Sequence, residues 1–382
     1  MSSVPVITGL GLITPLGAGA DATWSALMAE RFILDHARAA GLPAGPGRIF
    51  DLASAAAREA VAQARWKERL AAAGGTALVV GTSKGPVETW LAALPSTSDN
   101  PAGHPGSAAA GYGLASLAQA VRHALPLLDG PNLTLSAACA SGLHALIRGA
   151  MMIGRGEADR VLVLAAEASV HPLFLASFRR LGVLPREGHG CRPYDRTRDG
   201  FLMSEAAAAI CLERNEQPAD AKPPQVLARV DRFAFGADAT HLTGGDPAGE
   251  TLRHLLRKVM DARPVDLIHG HGTGTSVNDP VELAALDDEC STCPGGRAAS
   301  PLVYSHKAAL GHSLGVAGLV SVALNCLMHR RGAVPPNVQT RDPLPARHVR
   351  IATEAVTMPV RRSLAAAAGF GGPMAVVSLV SP

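Results

Sequence analysis

The sequence predicts an α/β protein made of two similar halves, and three observations lead to this fold class. The chain has 382 residues, of which 47% are apolar, enough for an extensive core. Apolar runs of strand length alternate with longer helical stretches along the whole chain. The alternation starts again after a polar, proline-bearing stretch at 215–224. We therefore expect an N-terminal half at residues 1–215 and a C-terminal half at residues 216–382.

Composition argues against several classes of function. The formal net charge of +3 is too small to indicate binding to nucleic acid or to a membrane surface. The six cysteines have irregular spacing and do not suggest a disulfide framework. No window has about 18 uninterrupted apolar residues, and the first residues lack the basic and apolar segments of a signal peptide. We expect a cytoplasmic protein.

The first half opens with a strand, a turn and a helix. Residues 4–15 form an apolar strand with a glycine turn, and a helix follows over about 21–30 with Asp21 as its N-cap. The glycines of this opening lack the spacing of a dinucleotide-binding fingerprint, so they indicate a structural turn.

A helix over 54–73 and a strand over 78–80 come next, before a loop rich in Pro, Ser and Gly at 96–110. A basic face is either ordinary solvated surface or a docking site for an acidic partner. We place a docking hypothesis on the end of this helix. Its basic side chains there are Arg58, Arg65, Lys67 and Arg69, of which the last three form the cluster.

Cys139 is the candidate nucleophile. A short apolar strand at 133–135 leads to it, a helix is predicted over 141–154, and another buried strand follows at 161–164. A thiol at such a junction lies beside unpaired backbone N–H groups, which favour the thiolate and predict a lowered pKa. Small neighbouring residues leave room for a carbonyl group to approach. The alternative for a lone cysteine is a buried structural residue.

The rest of the first half predicts a loop and a strand. Residues 192–201, RPYDRTRDGF, alternate charged and aromatic side chains, a pattern typical of loops held together by ion pairs. Residues 205–213 predict another buried strand.

The second half carries a histidine at a strand end. A strand at 265–268 runs directly into the turn HGHGTGT, which places His271 at the carboxyl end of that strand. The glycines let the backbone come close to a ligand, and Thr273 and Thr275 offer hydroxyl groups to a polar tail. His269 and His271 have no spaced carboxylate or cysteine partner, so we do not expect zinc.

A helix with a capped first turn is predicted from 278. Cys290 and Cys293 form a single CxxC without a second pair, which favours a surface loop over a metal site.

Lys307 and His312 follow the next strand, at 302–305, and a long helix is predicted from 311. His312 is thus expected at a helix N-terminus, where an imidazole is biased towards its neutral form and can donate a hydrogen bond without carrying a charge.

Phe370 lies among glycines just before a last strand at 374–380, so its N–H can point at a substrate. One cysteine, two histidines and one lysine, each at a strand end or helix start, predict an acyl-transfer site.

Six motifs carry a resemblance to a known family. In chain order they are VITGLGLITPLG, AACASGLHA, RPYDRTRDGFLMSE, HGTGTSVND, KAALGHSLGVAG and GFGG. With these motifs the chain resembles the β-ketoacyl-acyl-carrier-protein synthases, the condensing enzymes of the thiolase superfamily with a Cys-His-His site. The resemblance extends over nearly the whole chain.

This resemblance implies a thiolase-like fold, a duplicated αβαβα arrangement in five layers, and a dimer. It implies that Cys139 is the nucleophile, that His271 and His312 act in decarboxylation, and that Lys307 supports His312.

The resemblance also implies two groups of binding residues. The N–H groups of Cys139 and Phe370 would form the oxyanion hole, and Phe370 would be the gate between acyl and malonyl states. Thr273 and Thr275 would hold the pantetheine arm.

The implied reaction is a decarboxylative Claisen condensation of an acyl group with malonyl-acyl-carrier protein, in a specialised fatty-acid or polyketide-like (type II) pathway. No cofactor is expected, because acyl groups are carried on the phosphopantetheine of the acyl-carrier protein. The expected partners are that carrier protein and either a second copy of the chain or a related ketosynthase subunit. Neither nucleic acid nor a membrane is expected as a partner.

Some positions depart from the family pattern. Ser321 stands where many members have glutamate, His269 where they have asparagine, and Ala365 and Ala366 where they have a polar pair. These family positions can hold a structural cation near the active site, and their joint loss predicts that no such ion binds here. The chain is also short before the cysteine, where relatives line the acyl pocket, which points towards a specialised synthase.

Three functions are compatible with the motifs. The first is an active elongating synthase. The second is a non-catalytic, chain-length-factor-like subunit of a ketosynthase heterodimer, although such subunits usually lack the nucleophile held here by Cys139. The third is a thiolase or a starter-unit synthase that uses coenzyme A. Thiolases need a second cysteine where this chain has GFGG, and starter-unit enzymes typically have asparagine in place of His312.

Overall fold

The computed structural model describes residues 4–69, 75–93, 113–215, 225–241, 244–291 and 300–382. The predicted loop at 96–110 and Cys293 lie outside these ranges, as does the predicted boundary apart from its first residue. Among the described residues, no helix is long and apolar enough to cross a membrane.

The strands of the first half form a mixed sheet. They are β1 (Pro5–Thr14), β2 (Gly17–Ala18), β3 (Thr76–Gly81), β4 (Asn132–Leu135), β5 (Arg160–Glu167) and β6 (Ala206–Arg214). Within the described residues the order is β4, β3, β5, β6, β1, and the short β2 pairs with β1. β3 runs parallel to β4 and β5, whereas β6 is antiparallel to β5 and β1.

The strands of the second half repeat this arrangement. They are β7 (Ala228–Ala237), β8 (Leu267–His269), β9 (Leu302–Tyr304), β10 (Ala333–Val334), β11 (Arg350–Ile351), β12 (Val356–Thr357), β13 (Arg362–Ala368) and β14 (Pro373–Val380). The described order is β9, β8, β13, β14, β7, with β11 outside β9. β8 is parallel to β9 and β13, and β14 is antiparallel to β13 and β7. Once the two-residue strands are left aside, order and direction match the first half.

Among the described residues, pairing of β1 with β7 joins the strands of the two halves into one sheet, and helices cover both faces of each half. They are α1 (Ala20–Met28), α2 (Arg48–Gln63), α3 (Val87–Ala92), α4 (Ser116–Ala124), α5 (Ser141–Gly154), α6 (Pro172–Arg180), α7 (Glu250–Met260), α8 (Asn278–Cys290), α9 (Lys307–Leu310) and α10 (Ala317–Arg331), with 3-10 turns at Trp66–Glu68 and Leu314–Val316. Alternate strand residues enter different cores because successive side chains of a strand point to opposite faces. In β3, Ala77 and Val79 lie in the central core, whereas Leu78 and Val80 face α2 and α4.

The central layer holds α5 and α10 against each other between the sheets. The helices approach closely because small residues face across the contact: a Cβ on Gly142 would lie 2.9 Å from Leu319 Cβ, and one on Gly318 would lie 2.7 Å from Leu143 Cγ. On the outer face of the second sheet, α7 and α8 pack in a third core. The layers are therefore helices, sheet, helices, sheet, helices, as the sequence resemblance implied.

The basic helix differs from the prediction. It runs over Arg48–Gln63 rather than 54–73. It ends there because Arg65 adopts a left-handed conformation with φ of 54°, after which Trp66 buries its ring and donates its indole N–H to Glu213 Oε1 at 2.7 Å. The three basic residues of the docking hypothesis therefore follow the helix instead of lying along one face of it.

Two smaller expectations were wrong. Asp21 is not an N-cap: α1 begins at Ala20, and the exposed Asp21 carboxylate pairs instead with Arg330 and Arg331 at 3.2 and 2.7 Å. Cys290 does not lie in a surface loop, because it is the last residue of α8 and is buried in the outer core.

Candidate active site

Cys139 lies on a tight elbow between β4 and α5. Ala138 just before it has a left-handed φ of 48°, a rare conformation for a residue with a side chain. Ser141, where α5 begins as predicted, braces the elbow: its Oγ accepts from the Ala137 N–H at 2.9 Å and donates to the Ala138 carbonyl at 2.6 Å. Gly369 packs on the elbow, where a Cβ would meet the Ala137 carbonyl oxygen at 2.9 Å.

The electrostatic prediction for Cys139 was wrong in sign. The side chain is 6% exposed, and burial raises the pKa of the thiol to about 11 because the thiolate loses its hydration. The ammonium groups of Lys84 and Lys307 and the N–H of Phe370, which donates to the sulfur, lower the pKa in part. The helix start alone does not offset desolvation, and the contribution of Lys84 was not predicted from the sequence.

His271 lies two residues beyond the end of β8, in a turn held by one buried carboxylate. Glu282 on α8 accepts the N–H groups of His271, at 2.5 Å, and Gly272, at 2.7 Å, and its Oε2 accepts from the Tyr194 hydroxyl at 3.0 Å. The role of Glu282 was not predicted from the sequence. An acid inside an otherwise apolar helical pattern is the signal that could have found it.

His312 is held differently from the prediction. It lies in an extended segment before the 3-10 turn, so it is not at a helix N-terminus. Its N–H donates to the Leu202 carbonyl at 2.7 Å, and its carbonyl accepts from Ser204 N–H at 3.1 Å. The His312 ring stands nearly perpendicular to that of His271, with centroids 5.4 Å apart, and contacts Phe201 edge to face.

The surroundings of His271 and His312 favour the neutral form of both imidazoles. The pKa of His271 and that of His312 lie well below the ordinary value, first because of burial and then because of the Lys307 charge. Nδ1 of each ring is buried and has no hydrogen-bond partner among the described residues, whereas Nε2 remains accessible from the cleft that both rings line. The predicted neutrality of His312 therefore holds, but its cause is burial rather than a helix dipole.

Lys307 begins α9 and is almost completely buried. Its ammonium donates to the carbonyl oxygen of His271 rather than to His312. Burial lowers the pKa of Lys307 to about 8, with Glu282 opposing the shift. Any support of His312 by Lys307 therefore acts through charge and not through a direct hydrogen bond.

Thr273 and Thr275 lie on the wall of the cleft with hydroxyl oxygens 2.9 Å apart. Asp279 at the start of α8 fixes their turn by accepting the N–H groups of Thr273 and Gly274, each at 3.0 Å. The same carboxylate accepts from the Tyr194 N–H at 2.7 Å.

Ion pairs are a small part of what holds the loop at 192–201. Asp195 accepts the backbone N–H groups of Thr197, Arg341 and Asp342 at 2.7 to 2.8 Å. The ion pair between Arg196 and Asp342 lies on the surface. The predicted ion pairs are therefore present, but the buried Asp195 also holds the loop through backbone N–H groups, which the charge pattern did not predict.

Phe370 is half-buried in the turn between β13 and β14. Its ring stacks on Phe178 of α6 with centroids 6.1 Å apart, and Phe178 in turn meets Phe201 edge to face at 5.6 Å. The three rings form an apolar wall around Cys139.

These groups meet in a cleft of about 440 Å³. It is lined by Cys139, His271, His312, Phe370 and the two threonines, among others. Lys307 lies behind it, next to His271. A nucleophile, two neutral donors and a backbone N–H at the sulfur form a constellation suited to acyl transfer.

Comparison with protein families accounts for most of the chain. The family model described as "Beta-ketoacyl synthase, N-terminal domain" matches residues 47–218, and "Beta-ketoacyl synthase, C-terminal domain" matches residues 227–341.

Curated relatives agree with this family. The 3-oxoacyl-(acyl-carrier-protein) synthase 2 of Rhizobium meliloti is 30% identical over 386 residues, covering 88% of this chain and 89% of the relative. The protein of the same name from Mycobacterium bovis is 32% identical over 223 residues, 55% of this chain. The alignment with that mycobacterial relative spans about half of the relative's own length, 52%. The actinorhodin polyketide putative beta-ketoacyl synthase 1 of Streptomyces coelicolor is 32% identical over 64% of this chain and 53% of its own.

Solved structures match over the full length. The ishigamide ketosynthase/chain length factor has a TM-score of 0.85 and 26% identity, covering 100% of both chains. A type II ketosynthase solved with its acyl-carrier protein has a TM-score of 0.84 at 22% identity, again over 100% of both chains, a likeness of fold alone. These matches confirm the thiolase-like duplicated fold. The chain belongs to the β-ketoacyl synthase family.

Proposed function

We propose that this protein catalyses the decarboxylative condensation of an acyl group with a malonyl thioester, giving a β-ketoacyl thioester two carbons longer. The single observation that carries the proposal is the cleft, in which Cys139, the Phe370 N–H and the neutral pair His271 and His312 face the same space.

In the first step the Cys139 thiolate attacks the carbonyl carbon of an acyl thioester. The carbonyl oxygen becomes negative and is stabilised by the N–H groups of Phe370 and Cys139. The carrier thiolate leaves and takes the proton that the Cys139 thiol has lost. The Phe370 N–H already donates to the sulfur, so it lies at the reacting centre before substrate arrives.

In the second step a malonyl thioester enters beside the acylated cysteine. Nε2–H donors on His271 and His312 bind its thioester oxygen, so the enolate left by departing carbon dioxide is stabilised. Neutral imidazoles suit this role because each can donate without a charge of its own, and each donor contributes roughly 3 kcal/mol. The enolate carbon attacks the acyl carbonyl, and the Cys139 thiolate is released.

Substitution of each histidine separates the two steps. We expect His271→Ala and His312→Ala to keep acylation of Cys139 while lowering malonyl decarboxylation and condensation by about 10²–10³-fold. Decarboxylation is measured as release of labelled carbon dioxide, and acylation as an adduct by intact mass. The exposed His254 of α7, which does not line the cleft, provides the control variant His254→Ala. Normal carbon dioxide release by both active-site variants would refute the assigned roles.

A second candidate is a partner subunit of a ketosynthase heterodimer, like a chain length factor. It is favoured by the full-length likeness to a structure titled ketosynthase/chain length factor. The nucleophile at Cys139 and its oxyanion donor favour an active subunit instead. Turnover by the purified chain without any related subunit would exclude the second candidate.

We further propose an acyl-carrier protein as the partner, docked at the mouth of the cleft. The last residues of α6, Arg179 and Arg180, are exposed, and they form no ion pair with any described residue. The next residue, Leu181, is 48% exposed and lines the cleft. Unpaired cations beside an exposed apolar side chain suit an acidic carrier with an apolar contact.

The cluster of Arg65, Lys67 and Arg69 is poorly placed for this role. Arg69 pairs with the buried Glu213 at 2.7 Å, so its charge is already used. Met203 pairs with His312 beside the cleft, and Glu213 is ten residues further along the chain. Ten residues of extended strand span about 30 Å, so Arg69, which pairs with Glu213, lies far from the cleft.

Charge reversal tests the two surfaces against each other. We expect Arg179→Glu with Arg180→Glu to lower kcat/KM for carrier-bound acyl groups at least tenfold, while leaving a short pantetheine thioester unaffected. Arg65→Glu with Lys67→Glu is the matched control and should change neither. If Arg65→Glu with Lys67→Glu lowered kcat/KM for carrier-bound acyl groups and Arg179→Glu with Arg180→Glu did not, the carrier would dock at the cluster of Arg65, Lys67 and Arg69 instead.

A further inference from the structure

Members of the family can hold a structural cation beside the active site, and the residues of this chain do not fit one. His269 and Ala365 are paired across β8 and β13, at positions where the family pattern has asparagine and a polar residue. Ser321 Oγ donates to the Ala317 carbonyl at 3.2 Å. Imidazole nitrogens and a methyl group are poor ligands for alkali or alkaline-earth ions, which bind oxygen.

A chain of buried hydrogen bonds occupies this region instead. His269 Nδ1 lies 2.9 Å from Asn325 Oδ1, and His269 Nε2 lies 2.9 Å from His306 Nδ1. All three side chains are at most 1% exposed. Burial lowers the pKa of His269 to about 3 and that of His306 well below its ordinary value, so both rings are neutral.

The donors and acceptors in this series of hydrogen bonds are set by Asn325. Asn325 Nδ2 donates to the Leu364 carbonyl at 3.1 Å, so Asn325 Oδ1 is the acceptor that faces His269. His269 Nδ1 must then carry the hydrogen, which leaves Nε2 as an acceptor. The proton between the two rings therefore lies on His306 Nδ1, and the His306 backbone N–H also points to His269 Nε2 at 3.4 Å.

These hydrogen bonds link the two segments that carry His271 and Lys307. His269 ends β8 and lies two residues before His271. His306 immediately precedes Lys307, whose ammonium donates to the carbonyl of His271. A shift of either ring would move both the donor imidazole and the lysine charge.

We propose that His306 is a positioning residue. Through His269 and Asn325 it holds His271 and Lys307 in their relative positions, and these hydrogen bonds take the place of the family's cation. The inference rests on the proposed condensation chemistry. His306 uses one ring nitrogen for this purpose, because its Nε2 has no hydrogen-bond partner among the described residues.

Two substitutions of His306 separate positioning from simple packing. Asparagine keeps an N–H donor near the position of Nδ1, whereas leucine has a similar bulk and no donor. We expect His306→Leu to lower kcat for malonyl decarboxylation at least tenfold with KM little changed, and His306→Asn to stay within threefold of the natural protein. Equal losses in both variants, or unchanged kcat in both, would overturn the proposal.

Two further readouts do not depend on turnover. Nitrogen-15 NMR of histidine-labelled protein should show His269 and His306 both protonated at Nδ1, with signals assigned by loss in His269→Asn and His306→Asn. Thermal melting should respond equally to potassium, sodium and tetramethylammonium chloride. The opposite tautomers, or a shift specific to one metal ion, would refute the inference even in an active enzyme. If no substrate is condensed, these readouts still decide it.

Discussion

At the scale of single residues, Lys307 is the most informative ionisable group. Its ammonium is buried, contacts the His271 carbonyl and acts electrostatically on Cys139 and both active-site histidines. Its pKa falls to about 8 because burial removes water from the charge. The active site therefore keeps a cation that is costly to hold in the folded protein.

This cost predicts a specific dependence of stability on pH. Between pH 8 and about 10.5 the unfolded chain binds a proton at Lys307 that the folded chain has released, so the free energy of unfolding rises with pH through this window. Relative to Lys307→Met, the natural protein should gain roughly 2–3 kcal/mol between pH 7 and pH 10. Urea unfolding of both proteins at several pH values measures the difference, and a difference that stays constant with pH would contradict the assignment.

Some residue properties could be predicted from sequence and others could not. Motifs singled out the candidates Cys139, His271, His312 and Phe370, and the folded chain brings all four to one cleft, with Lys307 behind it. Their pKa shifts were less accessible, because burial depends on segments far away in the chain. The sequence placed a helix dipole at Cys139, whereas the folded chain buries the thiol.

At the scale of elements, α5 shows how local sequence and packing agree. The predicted helix at 141–154 matches the observed bounds, since small residues open it and apolar ones continue it. By contrast, α2 begins six residues earlier than predicted and ends at a left-handed turn that nothing in the basic sequence around it signals. Boundaries set by a long-range contact, such as Trp66 with Glu213, are not visible locally.

Two glycines of α5 provide a matched pair of substitutions. A Cβ on Gly142 would lie about 3.0 Å from backbone atoms of α10 and its preceding turn, whereas one on Gly154 meets nothing within 4 Å. Gly142→Ala should lower the free energy of unfolding by about 1–3 kcal/mol, because the overpacked backbone cannot yield. Gly154→Ala should raise it by about 0.5 kcal/mol, because the unfolded chain loses freedom. Urea unfolding measures both, and equal effects would mean that α5 and α10 do not pack this closely.

At the scale of the whole molecule, the sequence predicts that the chain consists of two similar halves, but it does not predict how the halves contact each other. The restart of strand and helix alternation after residue 215 indicates two halves, and both sheets indeed share strand order and direction. That β1 pairs with β7 at Val6 and Ile7, and that α8 supplies Glu282 to the turn after β8, depends on contacts between elements that the sequence does not place together.

The same limit applies to the proposed docking surface. Charge clustering in sequence pointed to Arg65, Lys67 and Arg69, but only the folded chain shows Arg69 paired with Glu213 far from the cleft. Arg179 and Arg180 attract little notice in sequence, yet they precede a residue that lines the cleft mouth.

The central claim is that Cys139 accepts an acyl group and passes it to a malonyl-derived carbanion. Intact-mass spectrometry of the natural protein and Cys139→Ala tests it most directly, with a panel of acyl-carrier thioesters followed by malonyl-carrier protein. We expect an acyl adduct on the natural protein alone, discharged on addition of malonyl-carrier protein as a product two carbons longer appears. An equal adduct on Cys139→Ala, or an adduct that malonyl-carrier protein does not discharge, would contradict the account.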